Sequence, residues 1–81
     1  MRRIYYYSAP WCVTCQSFGP VMDQVASVIP VVKVNVDYEA DMAARTNVRS
    51  VPTVILVEND QEVRRFTGAR SYEQIMQFIN G

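Results

Sequence analysis

The chain has 81 residues, 49% of them hydrophobic, and its eight basic side chains balance eight acidic ones. This length sets one small domain over residues 1–81, burying only about 60% of its unfolded surface, and the hydrophobic share excludes disorder. Zero net charge excludes a general attraction to nucleic acid or an anionic membrane, and the lack of histidine removes the usual general base, the Cys-His and Ser-His pairs and the commonest metal ligand.

Arg3 to Tyr7 is a β-branched and aromatic run bounded by Ser8 and Pro10, the pattern of a buried strand. The N-terminus enters this strand with no signal-peptide apolar region, and no apolar run approaches the roughly 18 residues of a membrane span, so the expectation is a cytoplasmic protein. From Cys12 onward Phe18, Val21, Met22, Val25, Val28 and Ile29 recur at helical spacing up to Pro30, which places Cys12 at a helix N-terminus. Pro20 falls inside that helix, where its ring and missing N–H should bend the axis.

Val31 to Asp37 alternates Val32, Val34 and Val36 with Lys33 and Asn35, a second strand. Glu39 to Arg45 reads as a short helix with acids first and arginine last, ending near Asn47. The run TVILV from Thr53, a turn over Glu58 to Asp60 and a charged strand from Glu62 to Thr67 form a hairpin, with Arg64 and Arg65 suiting an edge. Ser71 and Gln74 make a capping box for a last helix ending at Gly81. The order is β-α-β-α-β-β-α, an α/β fold with a mixed, helix-covered sheet.

The two cysteines, Cys12 and Cys15, lie in SAPWCVTCQSFGP. A permanent bridge would close a loop of about four residues and contribute only about 2 kcal/mol, a poor staple. Tetrahedral zinc needs four ligands, so two thiols without imidazole would have to be shared between two chains. A reversible dithiol uses every feature of the stretch: the helix N-terminus stabilises a Cys12 thiolate, and Cys15, one turn on, can attack in its turn. Two inert buried thiols are the bland alternative.

Taken together, Trp11-Cys12-Val13-Thr14-Cys15, Pro20, Lys33 to Asp37, Val51-Pro52-Thr53 and Thr67-Gly68-Ala69 resemble, in the same order, the motifs of the thioredoxin family along nearly the whole chain. The resemblance implies a minimal thioredoxin fold on a four-stranded mixed sheet, without the family's usual N-terminal strand and helix. It implies Cys12 and Cys15 as the redox pair, with no metal and no other cofactor. It also implies Trp11 as a lid beside the disulfide, a cis bond before Pro52, and a substrate groove of Trp11, Val51, Pro52, Gly68 and Ala69. Val13, Thr14, Pro20, Lys33 and the residue six before Cys12 would support the pair.

Two positions depart from the family pattern. Tyr6 stands where thioredoxins place a buried aspartate that takes the resolving cysteine's proton, and Val13-Thr14 replaces Gly-Pro, a pair that helps set the reduction potential. The function implied is a monomeric thiol–disulfide oxidoreductase, recharged by thioredoxin reductase and reducing disulfide-containing proteins such as ribonucleotide reductase. The alternatives are a glutaredoxin-like, glutathione-dependent reductase and a CxxC metal- or cluster-binding module bridging two chains. Against the first, Gly68-Ala69-Arg70-Ser71 offers no carboxylate to a glutathione amine.

Overall fold

The computed structural model describes residues 1–81. It contains β1 (Arg2–Ser8), α1 (Val13–Val25), β2 (Val31–Asn35), α2 (Ala40–Arg45), β3 (Thr53–Glu58), β4 (Gln61–Thr67) and α3 (Tyr72–Asn80). The strands form one sheet in the order β2-β1-β3-β4. β1 and β2 are parallel, with Tyr6 opposite Lys33, while β3 runs antiparallel to both β1 and β4. The expected mixed sheet and element order are therefore present.

Alternation along β1 divides the core. Ile4 and Tyr6 point toward α1 and α3 and join Phe18, Met22, Val25, Val54, Leu56, Phe66, Ile75 and Ile79 in the main buried cluster. Tyr7 points the other way, with Val34, Ala43 and Ile55 beneath α2. The helix α1 buries Cys15, Phe18, Met22 and Val25, spaced three or four apart, so one stripe carries both the core contacts and the second cysteine. Edge-to-face contacts link Tyr6 to Phe18 at 5.7 Å and Phe66 to Phe78 at 4.9 Å between ring centroids. Arg70 stands 4.3 Å over the Phe66 ring. At the start of α3 the Ser71–Gln74 capping box is complete.

Several boundaries differ from the sequence expectation, each for a local reason. The helix α1 ends at Val25, not beside Pro30. There the Ser27 hydroxyl donates to the Gln24 carbonyl and the N–H groups of Val28 and Ile29 both turn onto the Val25 carbonyl, leaving Val28 58% exposed. Strand β2 stops at Asn35 because Asn35 Oδ1 accepts the Asp37 N–H at 2.9 Å, an Asx turn that bends the chain away. Asn59 and Asp60 both have positive φ, 53° and 66°, so the hairpin closes on two residues and the strands reach Glu58 and Gln61.

The arginines of β4 do more than guard an edge. Arg64 donates to the Phe78 carbonyl at 2.9 Å and Arg65 to the Thr46 carbonyl at 2.8 Å, tying the strand to α3 and to the end of α2. Val32 is exposed because β2 is the other edge and the six-residue α2 leaves it uncovered.

Candidate functional site

The site grows out of the junction between β1 and α1. After Ser8 the chain turns, the Cys12 N–H donating to the Ala9 carbonyl at 3.2 Å, and Gln16 Nε2 fastens the turn through the Pro10 carbonyl at 3.0 Å. Cys12 then takes extended backbone angles and becomes the N-cap of α1. Its Sγ accepts the Cys15 N–H at 3.1 Å, in the position a serine or aspartate oxygen ordinarily fills. A sulfur held there faces unsatisfied N–H groups and the positive end of the helix dipole, which favour its thiolate form.

Cys12 and Cys15 are joined as a disulfide, with their Cα atoms 5.2 Å apart. Exposure does not separate them, at 8% and 5%, and with Ala9 they form a small cluster packed by Val36 and Val51. Cys12 Sγ lies 3.8 Å from the Val51 carbonyl oxygen. The Val51–Pro52 peptide bond is cis. The Pro52 carbonyl accepts the Gly68 N–H at 2.9 Å, with Gly68 at φ 83°, and Ala69 follows exposed.

Trp11 is 66% exposed rather than laid into the core, and its indole N–H donates to the Asp37 carboxylate at 3.1 and 3.3 Å. Asp37 was not singled out from sequence, because nothing in the strand pattern says which carboxylate an exposed indole will meet. A shallow pocket of about 130 Å³ opens beside this pair, lined by Trp11, Val36, Val48, Arg49, Ser50 and Val51. Val13 and Thr14 are exposed on the first turn of α1, and Thr14 makes no hydrogen bond to either sulfur. Helix α1 continues through Pro20, which is exposed.

Tyr6 is buried beneath Cys15, its hydroxyl donating to the Cys15 carbonyl at 3.3 Å. Burial pushes its phenol pKa up, opposed by the Ser8 hydroxyl and assisted by the charge of Asp23. An open cleft of about 290 Å³ runs beside it, lined by Tyr6, Ser8, Cys15, Gln16, Lys33 and Asn35 among others. Lys33 does not stand alone: its Nζ pairs with Asp23 Oδ1 at 3.1 Å. No cluster of three or more His, Cys, Asp or Glu residues is placed to hold a metal ion, and no helix is long and apolar enough to cross a membrane.

The family model for thioredoxin matches residues 2–81. The chain is 40% identical over 76 residues to a thioredoxin of Haemophilus influenzae, spanning 89% of this chain and 71% of that protein. It is 34% identical over 76 residues to a bifunctional thioredoxin reductase/thioredoxin of Mycobacterium leprae, covering 89% of this chain and 17% of that protein. The solved structure of Fasciola hepatica thioredoxin superposes with a TM-score of 0.90 at 27% identity, over 98% of this chain and 78% of that one. A sulfur-capped helix carrying a CxxC pair, on this sheet and with these relatives, has one reading: the chain belongs to the thioredoxin family and is a thiol–disulfide oxidoreductase.

Proposed function

We propose that the 81-residue chain works as one dithiol unit that donates electrons to disulfides in other proteins, with Cys12 as the attacking thiolate and Cys15 as the resolving thiol. The observation that carries this is the Cys12 sulfur at the N-cap of α1, accepting the Cys15 N–H. The Cys12 thiolate forms a bond to one sulfur of the target as the target's S–S bond breaks, and the other target sulfur leaves as a thiolate. Cys15 then loses its proton, its sulfur bonds to Cys12, and the second target sulfur leaves. The target gains two electrons and the protein closes its own disulfide.

The target segment lies across Trp11, Val51, Pro52, Gly68 and Ala69, with the Val51 backbone pairing to it as an added strand beside the Cys12 sulfur. Val13 and Thr14 tune the pair from the exposed first turn, while Tyr6, Pro20 and Lys33 support it from below. No metal or other cofactor takes part.

A thioredoxin reductase returns the electrons; the Mycobacterium leprae relative joins those two names in one chain. The targets are disulfide proteins of the ribonucleotide reductase kind, met by a monomer in a reducing compartment, the cytoplasm. The test is turnover of an insulin-type disulfide, first with dithiothreitol and then with a thioredoxin reductase or glutathione as sole electron source. Turnover with the reductase and none with glutathione is the expected result. The reverse would assign the chain to glutathione-dependent chemistry, and a coloured, metal-containing dimer on purification would assign it to cluster binding.

A further inference from the structure

The arginines differ in what holds them. Arg2, Arg64 and Arg65 are engaged inside the molecule, by the carbonyls of Ile79, Phe78 and Thr46 and by the carboxylates of Glu58 and Glu62. Arg70 meets only a ring: its guanidinium carbon stands 4.3 Å over the centroid of Phe66. That ring is itself fixed, 5% exposed and edge to face with Phe78 at 4.9 Å. A phenyl face attracts the cation but supplies no acceptor oxygen, so Arg70 is held in place while its N–H donors keep no partner in the chain. Glu73, three residues further on, forms no ion pair with it.

This tethered charge stands at one rim of the groove. The Gly68 N–H donates to the Pro52 carbonyl at 2.9 Å, and Pro52 follows Val51, whose carbonyl oxygen is 3.8 Å from Cys12 Sγ. Arg70 comes two residues after Gly68, a span of at most about 7 Å between Cα atoms, and it is the one charged residue between Thr67 and Tyr72. The Trp11 rim is different. There the indole holds the Asp37 carboxylate, and Arg49 lines the pocket that Trp11 and Val51 share. Charges of both signs stand on the Trp11 rim, whereas the segment forming the Gly68 rim carries only a positive one.

We infer that Arg70 is a specificity-determining residue of the target groove: it takes an Asp or Glu carboxylate on the flank of the target cysteine that lies over Gly68 and Ala69. A guanidinium already resting on a ring loses little freedom when it binds, and its planar fork matches a carboxylate. The plain rival is that Arg70 only covers the edge of Phe66. The inference rests on Cys12 as the attacking sulfur and on the groove proposed above. Electron flow is unchanged by it; what changes is which targets dock well.

The test uses the pre-reduced protein, no reductase, and extended peptides whose single cysteine is a mixed disulfide with 2-thiopyridine. Attack of the Cys12 thiolate on the peptide sulfur joins peptide to protein and releases thiopyridone, read by its absorbance. Glu is placed in turn at each of three positions before and after the cysteine, always against the matching Gln peptide. The Glu-to-Gln rate ratio within one protein cancels any general change in thiol reactivity. The expected ratio is about threefold at low salt, on one flank only, and it shrinks as salt is added. Arg70→Met, which keeps an unbranched apolar cover over Phe66, should abolish it, Arg70→Lys should restore part of it, and Arg49→Met should leave it intact. A mere cover for Phe66 predicts ratios near one at every position. Such ratios overturn the inference and leave the dithiol function standing. So does a preference equal on both flanks, one that survives Arg70→Met or is lost in Arg49→Met, or a loss that Arg70→Lys does not relieve. No thiopyridone from any peptide would overturn the dithiol reading itself, and this inference with it.

Discussion

The two sulfurs share a disulfide and almost the same burial, yet they sit at the edges of different regions. Cys12 lies 3.8 Å from the Val51 carbonyl, and Val51 also lines a shallow pocket with the half-buried Val36 and Val48 and the exposed Trp11, Arg49 and Ser50. Cys15 faces inward, on the stripe of α1 that also carries Phe18, Met22 and Val25, with Tyr6 beneath it. One sulfur sits against a loop carbonyl, and the other sits at the edge of the core beside an open cleft. The difference arises from one helical turn: the N-cap position gives Cys12 the unsatisfied N–H groups, and the position three residues later gives Cys15 the core.

The largest effects should come from breaking the pair. Replacing Cys12 with serine should abolish disulfide exchange, whereas Cys15→Ser should leave attack intact and trap targets as mixed disulfides, visible on non-reducing gels. Equal loss of adducts in both variants would erase the distinction between the two sides. Next comes the packing under Cys15. Phe18 is fully enclosed and meets Tyr6 edge to face; Phe18→Ala should cost about 3–5 kcal/mol, measured by urea unfolding. Val36→Ala, at a half-buried position on the Cys12 side, should cost well under half of that.

Tyr6 separates the regions more finely. Tyr6→Phe deletes the hydroxyl bond to the Cys15 carbonyl and should cost about 1 kcal/mol. Tyr6→Asp should cost more, since it buries an unpaired carboxylate, yet it should speed resolution near neutral pH by adding a proton acceptor below Cys15. The pH dependence has a definite sign. With its folded pKa raised chiefly by burial, Tyr6 contributes stability that is fully present below the unfolded tyrosine value of about 10 and is lost as pH rises through the folded one. Unfolding curves in alkali should show that loss in the native protein and a reduced loss in Tyr6→Phe.

The smallest effect lies far from either sulfur. The side-chain hydrogen bonds from Arg65 hold the Glu62 pKa below its ordinary value, so the pair adds stability above the unfolded carboxylate pKa and loses it as pH falls through the folded one. Because the pair is partly exposed, Glu62→Gln should change the acid limb only slightly, and less at high salt.

Much of this was legible in the residues themselves. The helical spacing from Cys15 to Val25 and the alternation in β1 mark one stripe and one face, and those patterns survive in the structure because the core enforces them. Cys12 at a helix start was equally plain. The partners that depend on long side chains were not. Asp37 reaches Trp11 across 26 positions of sequence and Asp23 reaches Lys33 across 10, and no periodicity encodes which carboxylate an exposed cation or indole will find. Tyr6 is a middle case. Its sequence position showed what was missing beneath Cys15, but only the fold shows its hydroxyl turned to the Cys15 carbonyl.

The asymmetry of the two thiols is tested most directly by alkylation of the reduced protein. A short pulse of iodoacetamide across a pH series, followed by peptide mass spectrometry, gives the rate and apparent pKa for each cysteine in the same sample. With exposures of 8% and 5%, accessibility alone predicts nearly equal rates. The N-cap geometry predicts that Cys12 reacts many times faster than Cys15 near neutral pH, with an apparent pKa below the free-cysteine value of about 8.5. Equal rates, or a Cys12 pKa at or above that value, would contradict the account.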